Sequence, residues 1–148
     1  MELSIREMRE CDFGRVTALW NQELGNRGVN EENLTACYEK MRRDDNYRTF
    51  VAAADGETVG FITVVQVMAV EMPVGYLKVN GLAVRKEWQR QGIGAKLLSY
   101  AESYAAGRGL SSMILNSGFQ RTGAHAFYER QQYDKLSYCF TKRIKREG

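Results

Sequence analysis

At 148 residues, 44% hydrophobic and 26% charged, with a net charge of +3, the chain has the makeup of one globular domain and the length to bury a core. The charge excess is mild and gathers in TKRIKREG, residues 141–148, which reads as a solvated basic end; a nucleic-acid surface would need more charge with aromatics interleaved on one face. No stretch is apolar over the length of a membrane span, and MELSIREMRE carries charges where a secretory leader needs an apolar block, so a soluble, cytoplasmic protein is expected.

Taken in chain order, LSIR (3–6) alternates apolar and polar residues as a short strand does. Asp12 is placed to cap a helix whose apolar positions Phe13, Val16, Leu19, Trp20 and Leu24 share one face, and LGNRGVN breaks it. Asn30 can cap a second helix with Leu34, Cys37, Tyr38 and Met41 on one face, ending in RRDDN. From Arg48 the period becomes strand-like: RTFVAAAD, a hairpin turn at Asp55-Gly56, then TVGFITVVQVMAV. EMPVG reads as another turn, followed by the strand GYLKVNGLAV, whose internal Gly81 marks a bulge or a close backbone approach. Residues 93–106 form a helix by pattern, stopped by the glycines of GRG; SMILN is a short strand, TGAHAFYERQ a helix, and DKLSYCFTKRI a final strand. The order is β α α β β β α β α β, an α/β layout on a mixed sheet.

Cysteines number three, at 11, 37 and 139, too far apart for a CxxC pair and odd in count, so neither a disulfide framework nor a zinc site is expected, and they read as core or edge fillers. His125 is the single histidine, which excludes multi-histidine metal sites; no metal is expected. A Ser/His/Asp or Cys/His triad has no local signature in the chain.

The chemistry-bearing stretch is QRQGIG, residues 89–94, between an apolar strand and a helix. A glycine-rich turn opening a helix presents successive backbone N–H groups to an anion, helped by the helix dipole, and Arg90 adds a charge. Two familiar owners of such a loop fail. A Walker loop needs Lys and Ser/Thr after its last glycine, where Ala95, Lys96 and Leu97 stand; a dinucleotide fingerprint needs a third glycine where Leu97 stands and an acid where the next strand ends in Asn116.

Its neighbours are more informative. LAV (82–84), QRQGIG (89–94) and FYE (127–129), in this order and spacing, resemble the GNAT superfamily of acetyl-CoA-dependent N-acetyltransferases. The resemblance implies an α/β fold over one domain, residues 1–148: a mixed, mainly antiparallel sheet with a V-shaped splay, flanked by about four helices. It implies acetyl-CoA as donor substrate, with its pyrophosphate on Gln89, Arg90, Gln91, Gly92, Ile93, Gly94 and Ala95 and its pantetheine along the backbone of Leu82, Ala83 and Val84. Gly81 would supply the bulge that splays this strand from SMILN. Tyr128 falls where the family's tyrosine protonates the departing thiolate. Asn116 falls where the family binds pantetheine or a water, and is otherwise an ordinary strand-ending residue. The implied acceptor is a primary amine of a small molecule, reached by direct transfer in a ternary complex, with neither nucleic acid nor membrane as partner and with room for a homodimer. Acetylation of a protein or peptide, or a non-catalytic acyl-CoA-binding domain, are the alternatives.

Three departures from the family pattern stand out. The strand before the loop offers Lys78 and Asn80 but no carboxylate, leaving the general base unassigned; Glu71 is either a solvated turn charge or a base acting through water. Gln132 stands where a helix-ending glycine is usual, and Arg121 where an asparagine is common. His125, three residues before Tyr128, reads as a packed polar residue rather than a proton relay.

Overall fold

The computed structural model describes residues 2–25 and 28–145, so the middle of the LGNRGVN break and the last three residues of the basic end lie outside the described residues. The chain divides into two compact units, one up to Leu115 and the other from Asn116.

In the first unit, β1 (Leu3–Glu7) leads through a single 3-10 turn at Glu10–Asp12 to α1 (Phe13–Gln22) and α2 (Glu31–Met41). Strands β2 (Tyr47–Ala54), β3 (Glu57–Ala69) and β4 (Met72–Val84) follow, then α3 (Ile93–Gly107) and β5 (Met113–Leu115). The sheet runs in sequence order, β1-β2-β3-β4-β5, antiparallel except for the parallel β4–β5 pair. The β2–β3 hairpin closes on Asp55 and Gly56, both left-handed at φ 52 and 82, as a two-residue turn matching strand twist requires. The β3–β4 turn is tighter than EMPVG suggests. Val70 and Glu71 alone make it, and β4 already runs from Met72, with Val74 (φ 70) and Gly75 (φ 94) as an irregularity within the strand. At Gly75 a Cβ would lie 1.9 Å from the Val67 carbonyl oxygen, so only glycine fits.

Thr58 to Val64 are buried without alternation, because helices cover both faces of the sheet. On one face Phe61 meets Trp20 of α1 with ring centroids 5.3 Å apart, in a core with Met8, Phe13, Val16, Leu19, Val51 and Ala83. On the other, Phe50 packs edge-on against Tyr100 and Tyr104 of α3, whose Ile93, Leu97, Leu98 and Ala101 are buried.

Asp12 does not cap α1. Its carboxylate is buried and turns to the sheet, accepting two bonds from Arg6 (2.7 and 3.0 Å), one from the Thr58 hydroxyl (2.5 Å) and one from the Arg9 N–H (2.8 Å). A two-pronged guanidinium partner outcompetes the helix N–H groups for a carboxylate. Asn30 caps α2 as expected, accepting from the Asn33 N–H at 2.8 Å. All three cysteines are exposed, which corrects their reading as core or edge fillers; Cys37 shares the α2 stripe, of which Leu34 and Tyr38 pack against the core.

The second unit holds α4 (Thr122–Arg130). Its end keeps the geometry a glycine would give: Gln132 is left-handed at φ 69, its N–H bonds the Glu129 carbonyl, and the Tyr133 N–H bonds that of Tyr128, both at 3.0 Å. The final strand read in DKLSYCFTKRI is not formed. Residues 134–145 have no helix or strand, and Leu136, Tyr138, Phe140 and Ile144 are exposed. Alternation prepares a segment for a ladder, yet a ladder needs a second strand, and among the described residues this unit holds none.

Candidate functional site

The loop between β4 and α3 begins with a 3-10 turn, Lys86–Trp88, and then takes an unusual path: Arg90 (φ 64) and Gly92 (φ 81) are both left-handed, with Gln91 between them. Alternation of this kind turns successive N–H groups toward one concave side. Among the described residues, the N–H groups of Arg90, Gln91, Gly92, Ile93, Gly94 and Ala95 donate to no protein acceptor; the next in line, that of Lys96, bonds the Gly92 carbonyl at 3.0 Å. A left-handed arginine is strained by about 1 kcal/mol, a cost usually met where backbone geometry serves a ligand. Ile93 anchors this row, since its side chain is buried in the core while Gln89, Arg90, Gln91 and Gly92 are exposed. The contribution of Ile93 is thus a backbone N–H, and the cradle has the donors and the helix dipole to hold a diphosphate.

The second part lies along β4. Thr63 pairs with Gly81 and Val64 with Val79, so Asn80 is an extra residue bulged out of the ladder. The bulge needs glycine at 81 for space: a Cβ there would come 2.6 Å from Trp20 Cη2 and 2.9 Å from Cζ2. On its other edge β4 pairs with β5 only over Leu77–Val79. Beyond the bulge, Leu82, Ala83 and Val84 pair with β3 alone, and their outer edge has no strand partner among the described residues. An open strand edge accepts an extended, amide-bearing chain as an added strand. Gln89 joins this edge to the loop, donating from Nε2 to the Val84 carbonyl at 2.9 Å and to Glu23 Oε1 at 3.0 Å. Arg85, by contrast, is engaged with Glu57 and Glu87, each at 3.3 Å.

Glu71 sits at the hairpin tip, ten residues of strand from Gly81 and thus on the order of 30 Å away. That removes it as a base near the bulge and leaves it a solvated turn charge. A groove of about 700 Å³ near the starts of α1 and α2, lined by Glu10, Cys11, Phe13 and Glu31 among others, contains none of the expected site residues.

Asn116 and Tyr128 belong to the unit that follows β5. Asn116 is exposed, and its neighbour Ser117 has a buried hydroxyl without a partner among the described residues. Tyr128 is half-buried on α4, its ring edge-on to Phe127 at 5.3 Å and tilted toward Tyr133 at 6.0 Å. Burial pushes its phenol above the ordinary value of 10.0, and the nearby Arg121 guanidinium offsets part of that rise. The phenol therefore keeps its proton at neutral pH. A ring nitrogen of His125 meets the Gly118 carbonyl at 2.8 Å, a local packing bond.

A left-handed loop with a row of free N–H groups opens α3, beside a bulged strand that parts from its parallel neighbour. Residues 4–133 match the model of the Acetyltransferase (GNAT) family, and the chain belongs to that family. An aminoalkylphosphonate N-acetyltransferase of Salmonella typhimurium is 30% identical over 101 residues, 68% of this chain and 66% of that protein. YhfO of Bacillus subtilis, an uncharacterized N-acetyltransferase, is 24% identical over 93% of this chain and 96% of its own length. Among solved structures, AAC(6')-Iy in complex with the bisubstrate analog CoA-S-monomethyl-acetylneamine superposes with a TM-score of 0.84 at 16% identity, covering 98% of this chain and 99% of that one. Among the described residues no helix is long and apolar enough to cross a membrane.

Proposed function

We propose that this GNAT acetyltransferase moves the acetyl group of acetyl-CoA to a primary amine of a small molecule, by direct attack of the amine within a ternary complex. The observation that carries the reading is the row of free N–H groups from Arg90 to Ala95, set beside the unpaired edge of Leu82–Val84. Acetyl-CoA, when bound, supplies an activated acyl group as a thioester. The loop N–H groups and the α3 dipole hold its diphosphate, with Gln91, Gly92 and Gly94 leaving them accessible, and Arg90 adds charge at the rim. The edge of Leu82, Ala83 and Val84 orients the chain leading to the thioester, and a backbone N–H there meets the developing oxyanion.

Tyr128 is the general acid. As the C–N bond forms and the C–S bond breaks, its phenol gives a proton to the departing sulfur and regains one from solvent; the amine loses its proton to water, since β4 carries no carboxylate. A free alkylamine, with a pKa of about 10.4 when lysine-like, is nearly all protonated at neutral pH, so turnover should rise with pH as the neutral amine becomes available.

The named relatives support a small acceptor: one is an aminoalkylphosphonate N-acetyltransferase, and a structural neighbour holds a bisubstrate analog of CoA and acetylneamine. A thiol-release screen with acetyl-CoA across aminoalkylphosphonates, aminoglycosides, polyamines, amino acids and peptides tests this. Release of CoA with a small amine is expected. Turnover confined to peptides would replace the small-molecule reading, and CoA binding with no turnover on any amine would make the protein an acyl-CoA-binding domain.

A further inference from the structure

We infer that Gln89 acts as a positioning residue, tying the phosphate loop to the ends of β4 and α1, with Glu23 as its anchor. The inference rests on the donor site proposed above. Gln89 is the first residue of the loop and was expected to contact the donor. Its amide is instead committed to the protein: Nε2 donates to the Val84 carbonyl at 2.9 Å and to Glu23 Oε1 at 3.0 Å. Both partners are acceptors, so the nitrogen must face them, and its two hydrogens serve both at once. Glu23 stands at the C-cap of α1, three residues after Trp20, the side chain that fills the space over Gly81. One side chain thus joins the strand end, the phosphate loop and the helix lying over the bulge.

Charge makes the role testable by sign. A carboxylate beside a diphosphate cradle repels the ligand, so simple electrostatics predicts that removing Glu23 tightens CoA binding. Positioning predicts the reverse, because without Glu23 the Gln89 amide loses half of its hold and the left-handed turn at Arg90 loosens.

The test is CoA affinity by calorimetry, with separate KM values for acetyl-CoA and amine, on Gln89→Ala, Glu23→Ala, Glu23→Gln and the double alanine variant. Gln89→Ala is expected to weaken CoA about tenfold and Glu23→Ala about threefold, the scale of lost hydrogen bonds to a carbonyl and a carboxylate. The double variant should be no worse than Gln89→Ala alone, and Glu23→Gln, which keeps an acceptor oxygen, should recover most of the loss. KM for acetyl-CoA should rise while kcat and the melting temperature of the free protein hold steady, which a general loss of stability would not produce. Tighter CoA binding by Glu23→Ala, or additive effects in the double variant, would overturn the link and leave Gln89 a direct ligand. A collapse of kcat in Glu23→Gln with CoA affinity intact would overturn it too, making Glu23 a proton acceptor. If the unaltered protein binds no CoA, the donor site itself fails, a result distinct from any of these.

Discussion

Gly81→Ala puts the bulge to the test. The backbone at 81 is not left-handed, so the substitution carries no conformational penalty of the kind Gly92 would; its cost is steric. The new methyl would sit 2.6 Å from Trp20 Cη2, 2.9 Å from Cζ2 and 3.3 Å from Phe61 Cε2. Trp20 must therefore retreat by most of an ångström, and it is held by Phe61 on the sheet and by its place in α1. Overpacking of this kind costs about 1–3 kcal/mol. For a chain of this size each kcal/mol lowers Tm by about 3 °C, so a fall of about 3–9 °C is expected in thermal melting. Trp20→Phe removes the two ring atoms that clash, so the double variant Gly81→Ala/Trp20→Phe should be more stable than the sum of the single effects predicts, with a coupling of about 1 kcal/mol. Because Trp20 lies over the bulge, KM for acetyl-CoA should rise in Gly81→Ala alone. An unchanged Tm in Gly81→Ala, or strict additivity in the cycle, would show that Trp20 does not enforce glycine there and that the bulge has another cause.

Tyr128→Phe should lower kcat by one or two orders of magnitude, as expected for loss of a general acid, with CoA affinity nearly unchanged; full turnover would remove Tyr128 from the mechanism. Since burial raises the Tyr128 phenol above 10.0, loss of activity on the alkaline side should begin only above that value, and a fall centred below about pH 9 would assign the acid to another group. Gly92→Val places a branched side chain at φ 81, a left-handed conformation it resists, and should abolish CoA binding in calorimetry with the sheet intact by circular dichroism. Asp12→Ala, which strands the Arg6 guanidinium, the Thr58 hydroxyl and the Arg9 N–H, should cost about 3 kcal/mol in urea unfolding. Burial alone would raise the Asp12 carboxyl, but bonds from Arg6, Thr58 and Arg9 outweigh it and hold it below the ordinary 3.8; its stabilisation is thus complete above that pH and lost as pH falls below it, a loss that Asp12→Ala should not show. Gln132→Gly should stabilise by about 1 kcal/mol, read as a Tm rise, because glycine enters the left-handed helix end without strain.

Local signals carried most of the fold. The Asp55-Gly56 hairpin, the Asn30 cap, the α3 face and the glycine inside β4 are short-range patterns with one physical meaning each, and the structure forms all of them. What failed depends on partners remote in sequence. Asp12 looked like a helix cap until Arg6 and Thr58 claimed it, and 134–144 looked like a strand although pairing is a property of two segments. For the site, QRQGIG marked the loop, but the motif could not show that the Gln89 amide bonds Val84 and Glu23 or that Arg90 is left-handed. Glu23 and Trp20 had no signal in the sequence, since a glutamate at a helix end and a tryptophan on an apolar face are ordinary; only the crossing of α1 over β4 gives them work.

The brevity of the β4–β5 ladder has a kinetic side. β2, β3 and β4 pair with immediate neighbours through two-residue turns, contacts that close quickly, whereas β5 joins Leu77–Val79 across the whole of α3 and through only Met113, Ile114 and Leu115. Amides of β5 should therefore exchange with deuterium well before those at the centre of β3, through opening events that leave the antiparallel meander closed. The seam expected to part first is then the one beside the bulge, while the core of the sheet stays folded.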